Sequence, residues 1–126
     1  MTSPSAVQAT YPYQNEPNWS RSEKALARKA FDAALNRELH DVIREAKRMA
    51  SQIKQSSDVW DLEHYLSERR KEINHRYEFR SSRLTHVLGA LLRESRLGEE
   101  ELRGLPQDKL ESIRSYAKFL AESDAA

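Results

Sequence analysis

The stretch VWDLEHYLSERRKEINHRYEFRSSRLTHVLGALLRESR, Val59 to Arg96, decides the fold. Its apolar residues Val59, Leu62, Leu66, Ile73, Tyr77, Leu84, Val87, Leu88 and Leu91 keep helical spacing, and the pattern reads as running on to Gly98. Read as one helix, residues 59 to 96 would reach about 57 Å at 1.5 Å per residue. A compact domain of this length spans about 35 Å. Such a helix either breaks near Arg80 to Ser82 or leaves its first half to be covered by a second copy of the chain. The second is favoured, because the stripe from Val59 to Ile73 would otherwise face a single neighbouring helix.

That neighbour lies upstream. Ser20-Arg21-Ser22-Glu23 is a capping box, in which the serine hydroxyl and the glutamate carboxylate satisfy backbone amides, and Trp19 before it is placed to act as a staple. Phe31, Leu35, Leu39, Val42, Ala46, Met49 and Ile53 step by three and four, predicting a helix to about Lys54. Gln55-Ser56-Ser57-Asp58 then offers caps for the long helix. Beyond Gly98, a short helical turn leads to a last helix with Pro106 at or near its first position and Leu110, Ile113, Ala117 and Leu120 on one side. The predicted class is all-α, a long helical hairpin stem and a small C-terminal helical head. Residues 1–18 are expected as a mobile tail, 19–79 as the stem and 80–126 as the head with a short C-terminal tail.

Composition agrees. One third of the chain is charged and 38% is hydrophobic, thin for a large core. With 3 Gly, 4 Pro and no run of alternating β-branched residues, a sheet has little to build on. The tail carries Pro4, Pro12 and Pro17, with Tyr11 and Tyr13 as its aromatics, and cannot bury enough surface to order itself. The absence of Cys removes disulfides, thiolate catalysis and Cys-based zinc sites, and fits a cytoplasmic setting. No apolar run approaches the roughly 18 residues of a membrane span, and the N-terminus lacks the basic and apolar regions of a signal peptide, so no membrane span is expected. A net charge of +1 gives no global pull toward nucleic acid or anionic lipid.

On a helical wheel, Val59, Leu62, Leu66 and Ile73 form one face, Glu63 and Arg70 flank it, and Trp60, His64, Ser67 and Lys71 stand about 100° away. Trp60 is therefore beside the core stripe. The plain reading is that it shields the hairpin's edge or packs on the first helix; the sharper one is an interface anchor, the role in which Trp and Arg dominate binding energy. His64, His75 and His86 recur every eleven residues, about 16 Å apart on one helix, too far to share a metal. His64 with Glu68 lacks a third ligand. No serine lies in a Gly-x-Ser-x-Gly turn and no glycine-rich loop exists to hold phosphate, so no enzyme, no cofactor and no small-molecule substrate are expected. Arg69, Arg70, Lys71, Arg76, Arg80 and Arg83 outnumber Glu72 and Glu78 and interleave with Tyr77 and Phe79, a face that could meet phosphates or an acidic protein. A solvated face is the plainer reading.

Trp60-x-Leu62-x-x-Tyr65-Leu66-Ser67-x-Arg69-Arg70-x-Glu72-Ile73, followed by Tyr77 and Arg80, resembles the W-x-L-H-D-F-L-S-x-[KR]-R-x-E-I and K-Y-x-x-R signature of the fluorescence recovery protein family. Leu102 to Leu110, LRGLPQDKL, is similar to that family's L-x-G-L-x-x-D-K-L. The resemblance implies an all-helical antiparallel dimer that binds the light-activated orange carotenoid protein. Binding speeds that protein's return to the inactive orange form and ends phycobilisome quenching. It further implies that Trp60 and Arg70 match the family's functional stem residues, that Val59 falls at an apolar dimer contact, and that His86 and Lys109 belong to the gripping surface of the head; Leu62, Leu66 and Ile73 share the stripe of Val59 and are expected in the same dimer interface.

The departures are specific. The family's His-Asp is Glu63-His64 here, which turns the carboxylate by about 100° toward the apolar stripe. Any ion pair the family's Asp makes with an Arg must be rebuilt as Glu63 with Arg70 or abandoned. His86 replaces an aromatic and Ser112 a lysine on the head. The partner is therefore an orange carotenoid protein or another protein, and nucleic acid is the alternative of a different class.

Overall fold

A computed structural model describes residues 18–125, so the tail expected over 1–18 lies outside it but for Asn18. Four helices carry the described residues: α1 (Arg21–Ser51), α2 (Ser56–Arg76), α3 (Leu84–Arg93) and α4 (Gln107–Ala125), with 3-10 turns at Ser81–Arg83 and Glu99–Leu102. No strand occurs among the described residues, and the all-α prediction holds.

The start of α1 follows its capping box, since the Glu23 N–H donates to the Ser20 hydroxyl at 3.1 Å and the Ser20 N–H to the Glu23 carboxylate at 2.9 Å. The helix ends at Ser51, short of the predicted Lys54. Asp58 opens α2 by accepting from the backbone N–H groups of Lys54 at 2.9 Å and Gln55 at 3.2 Å. The connection folds α2 back along α1, so that Met49 neighbours Asp58 and Asp61 while Leu35 and Leu39 neighbour Ile73.

The single helix expected from Val59 to Arg96 does not form. It stops at Arg76 and restarts at Leu84. Tertiary packing, with neither Gly nor Pro at hand, makes the break. Tyr77 and Phe79 both set their rings edge-on to Phe31, at 6.0 and 5.1 Å, and the Arg28 guanidinium covers Phe79 at 3.9 Å. Two residues apart on a continuous helix, they would point about 200° from each other and could not share one ring. The break gains both aromatic contacts.

The end of α3 is also unmarked by glycine. Ser95 adopts φ 62°, the Ser95 N–H donates to Leu92 O at 3.1 Å and the Arg96 N–H to Leu91 O at 3.0 Å, a Schellman closure that turns the chain back. Leu97, Leu102 and Leu105 are thereby delivered to the core. Gly89 lets α4 lie directly on α3, because a Cβ there would stand 2.9 Å from Tyr116 Cδ2 and 3.1 Å from the Ile113 carbonyl oxygen.

The core joins Trp19, Ala27, Ala30, Phe31 and Ala34 to Leu84, Leu88, Leu91 and Ile113. The first half of α1 thus belongs to the head's packing, and Trp19 is a core residue. By contrast α2 buries none of its residues.

Candidate functional site

Trp60 sits in the early turns of α2 and is 65% exposed. An indole so open neither shields the hairpin edge nor packs on α1. His64, one turn on, is exposed as well. Glu63 accepts a hydrogen bond from the Ser67 hydroxyl at 2.9 Å. Its pairing with Arg70 does not occur within the chain: seven residues separate them, about 10.5 Å along the axis, beyond ion-pair reach. Both instead rim a groove of about 580 Å³ between the stem helices, floored by Leu35, Leu39 and Val42 of α1 and Leu66 and Ile73 of α2. Leu66 is 40% exposed and Val59 42%, while Leu62 and Ile73 are half-buried. An apolar face left open in this way is a candidate interaction surface.

The basic run proves largely neutralised. Arg69 pairs with Glu38 and Glu72, Lys71 with Glu68, Arg76 with Glu38 and Glu94, and Arg80 with Glu78. Among the described residues only Arg70 and Arg83 of the six meet no acidic partner, far less charge than a phosphate-binding face requires. No three His, Asp or Glu side chains converge as metal ligands would among the described residues, and no helix there is long and apolar enough to cross a membrane.

The head treats its two candidates differently. His86, half-buried on α3, meets the ring of Tyr116 edge-on at 4.7 Å. Lys109 is withdrawn from the surface: its ammonium lies 3.2 Å from Glu23 and 5.3 Å from the Trp19 ring centre, closing the start of α1 against α4. The Ser20 N–H, aided by that ammonium, holds the Glu23 carboxyl below the usual range. Ser112 is half-buried.

One group escaped the sequence reading. Glu38 of α1, 1% exposed, accepts from Arg69 Nη2 at 2.5 Å and from the Tyr77 hydroxyl at 2.9 Å, with Arg76 and Arg96 each at 3.7 Å. Arg96 also donates to Asp41 at 2.9 Å, while Arg37 forks onto Glu101 at 2.8 and 2.6 Å. A buried carboxylate is tolerated only when paired and hydrogen-bonded in this way. The node joins α1, the end of α2 and the turn after α3, and so sets the stem against the head. Burial and the Glu38 carboxylate together push the Tyr77 hydroxyl above the ordinary tyrosine range. The signal for Glu38 was its register: it stands seven residues after Phe31 and four after Ala34, on the buried face.

Comparison with known proteins bears on this arrangement. The family described as photoprotection regulator fluorescence recovery protein matches residues 19–117. The fluorescence recovery protein of Synechocystis sp. is 37% identical over 104 residues, covering 82% of this chain and 95% of that one. The solved structure of the Fremyella diplosiphon fluorescence recovery protein superposes with a TM-score of 0.75 at 37% identity, over 80% of this chain and 99% of that chain. The Synechocystis structure gives 0.74 at 37% identity, over 79% of this chain and 98% of that chain.

Proposed function

This chain belongs to the fluorescence recovery protein family, and from that membership we propose that it is a non-enzymatic, dimeric regulator that binds the photoactivated orange carotenoid protein and accelerates its return to the orange state. The observation that carries the reading is the conjunction of that family match with an exposed Trp60 and an uncommitted Arg70 on one stem helix. Trp60, Glu63, His64 and Arg70 on the stem and His86 on the head are the partner contacts in this reading. Trp60 acts as the anchor and Arg70 as the charge that fixes register. A second copy, packed antiparallel, covers Val59, Leu62, Leu66 and Ile73 and closes the groove, and only across that interface can Glu63 meet Arg70. The action is on populations and rates: a surface that fits the compact carotenoid protein better than the open one lowers the barrier to closure without chemistry of its own. Such a role places the protein in the cytoplasm.

The test is the dark recovery of a photoactivated orange carotenoid protein, with and without this protein. Recovery should quicken with wild type and return to the unassisted rate with Trp60→Ala. Replacing Leu62 by Glu buries a charge in the stem interface and should give monomers by light scattering. A helical dimer that leaves recovery unchanged would mean that the Glu63-His64 exchange and the altered head have moved the fold to another protein partner.

A further inference from the structure

We propose that the hollow where the end of α2 meets α3 and α4 is a pocket for an acidic side chain of the partner protein, a specificity site on the head separate from the Trp60 surface. The break at Tyr77 to Arg80 creates it. His75 and His86, about 16 Å apart had the helix continued, now line one depression of about 160 Å³ together with Arg76, Arg83 and Tyr116. Imidazoles and guanidiniums converge there, and no carboxylate lines the wall. Arg76 is already engaged by Glu94 and Glu38. Arg83 and His75 meet no acidic partner among the described residues, which leaves their donors to an incoming carboxylate.

Size and surroundings narrow the ligand. The depression is about half the smallest typical small-molecule site, about 300 Å³, and admits one side chain. Its edge continues into Tyr116 and Phe119, stacked at 6.0 Å, with Phe119 56% exposed. A Glu or Asp next to an apolar residue therefore fits, carboxylate inward and apolar neighbour on Phe119. A nucleic-acid backbone would need a row of uncommitted cations, and the adjoining Arg69, Lys71 and Arg80 are neutralised. Gly89 holds the wall in place, since it is the contact that seats Tyr116 on α3.

The inference rests on the protein-binding reading above, and the experiment separates the two. Arg83→Glu, Arg83→Lys and Trp60→Ala, each checked for helicity, are titrated with the red orange carotenoid protein. Arg83→Glu should weaken binding about tenfold or more, as reversal of a complementary interface charge does, and Arg83→Lys should recover most of the loss. Unchanged affinity in Arg83→Glu alongside lost binding in Trp60→Ala would overturn the pocket and leave the function standing. If wild type does not bind the carotenoid protein at all, a capped glutamate is titrated instead, with the ring nitrogens of His75 and His86 followed by NMR. Saturating shifts that vanish in Arg83→Glu support the pocket. Absent shifts, or shifts reproduced by chloride at the same concentration, overturn it.

Discussion

Ala27, Ala30, Phe31 and Ala34, in the first half of α1, are sealed beneath α3 and the Glu99–Leu102 turn, whereas Leu39 and Ile43 in its second half stand open to solvent. Both halves belong to one helix with one apolar rhythm. Periodicity states which face is apolar and says nothing of what covers it. In the head the chain supplies its own cover. In the stem it supplies none and the face stays open, so the two regions should respond oppositely to the same kind of substitution.

The largest expected effect lies in the head. Phe31→Ala removes the ring on which Tyr77 and Phe79 rest and should cost about 3–5 kcal/mol in chemical denaturation. A loss below about 1 kcal/mol would erase the distinction between the two ends of α1. Next comes the node at the boundary, where Glu38→Gln leaves Arg69 partly unpaired in a buried site and should cost about 3 kcal/mol. The same node sets an alkaline limit. The Tyr77 hydroxyl is held protonated above its ordinary value of 10.0, so its contribution is complete below pH 10 and is lost as pH rises further. Tyr77→Phe should remove that decline at a cost of about 1 kcal/mol at neutral pH; a wild type whose stability is flat up to pH 12 would contradict it. The smallest effect belongs to the stem. Trp60→Ala should change monomer unfolding by less than about 0.5 kcal/mol while abolishing partner binding, and a larger cost would return the indole to the fold.

Much of this was legible beforehand. The capping box placed the start of α1, and the stripes placed the hairpin and the last helix. Trp60 was correctly seen off the core face. The break at Tyr77 to Arg80, the less favoured of the two readings, is poorly marked for a physical reason: the apolar spacing runs on through it, and what ends α2 is a ring, Phe31, more than forty residues upstream. Glu38 was missed because a glutamate among apolar neighbours reads as solvent-facing until its arginines are brought together by the fold. Lys109 was assigned to a partner surface by motif alone, and only the contact with Trp19 and Glu23 reveals it as internal. Long-range pairing is what sequence spacing does not carry.

The node at Glu38 also has a consequence for how the molecule comes into being. Its bonds join residues 31 and 39 positions apart, and the neighbouring Arg96–Asp41 pair spans 55, while helix ladders close over four. Contacts of such separation carry the greater loop-closure entropy. Helices and hairpin should therefore assemble early and the node last, with φ-values near zero at Glu38 and changes there felt in the unfolding rate. A newly synthesised chain would then acquire the angle between arm and head only after its helices had formed.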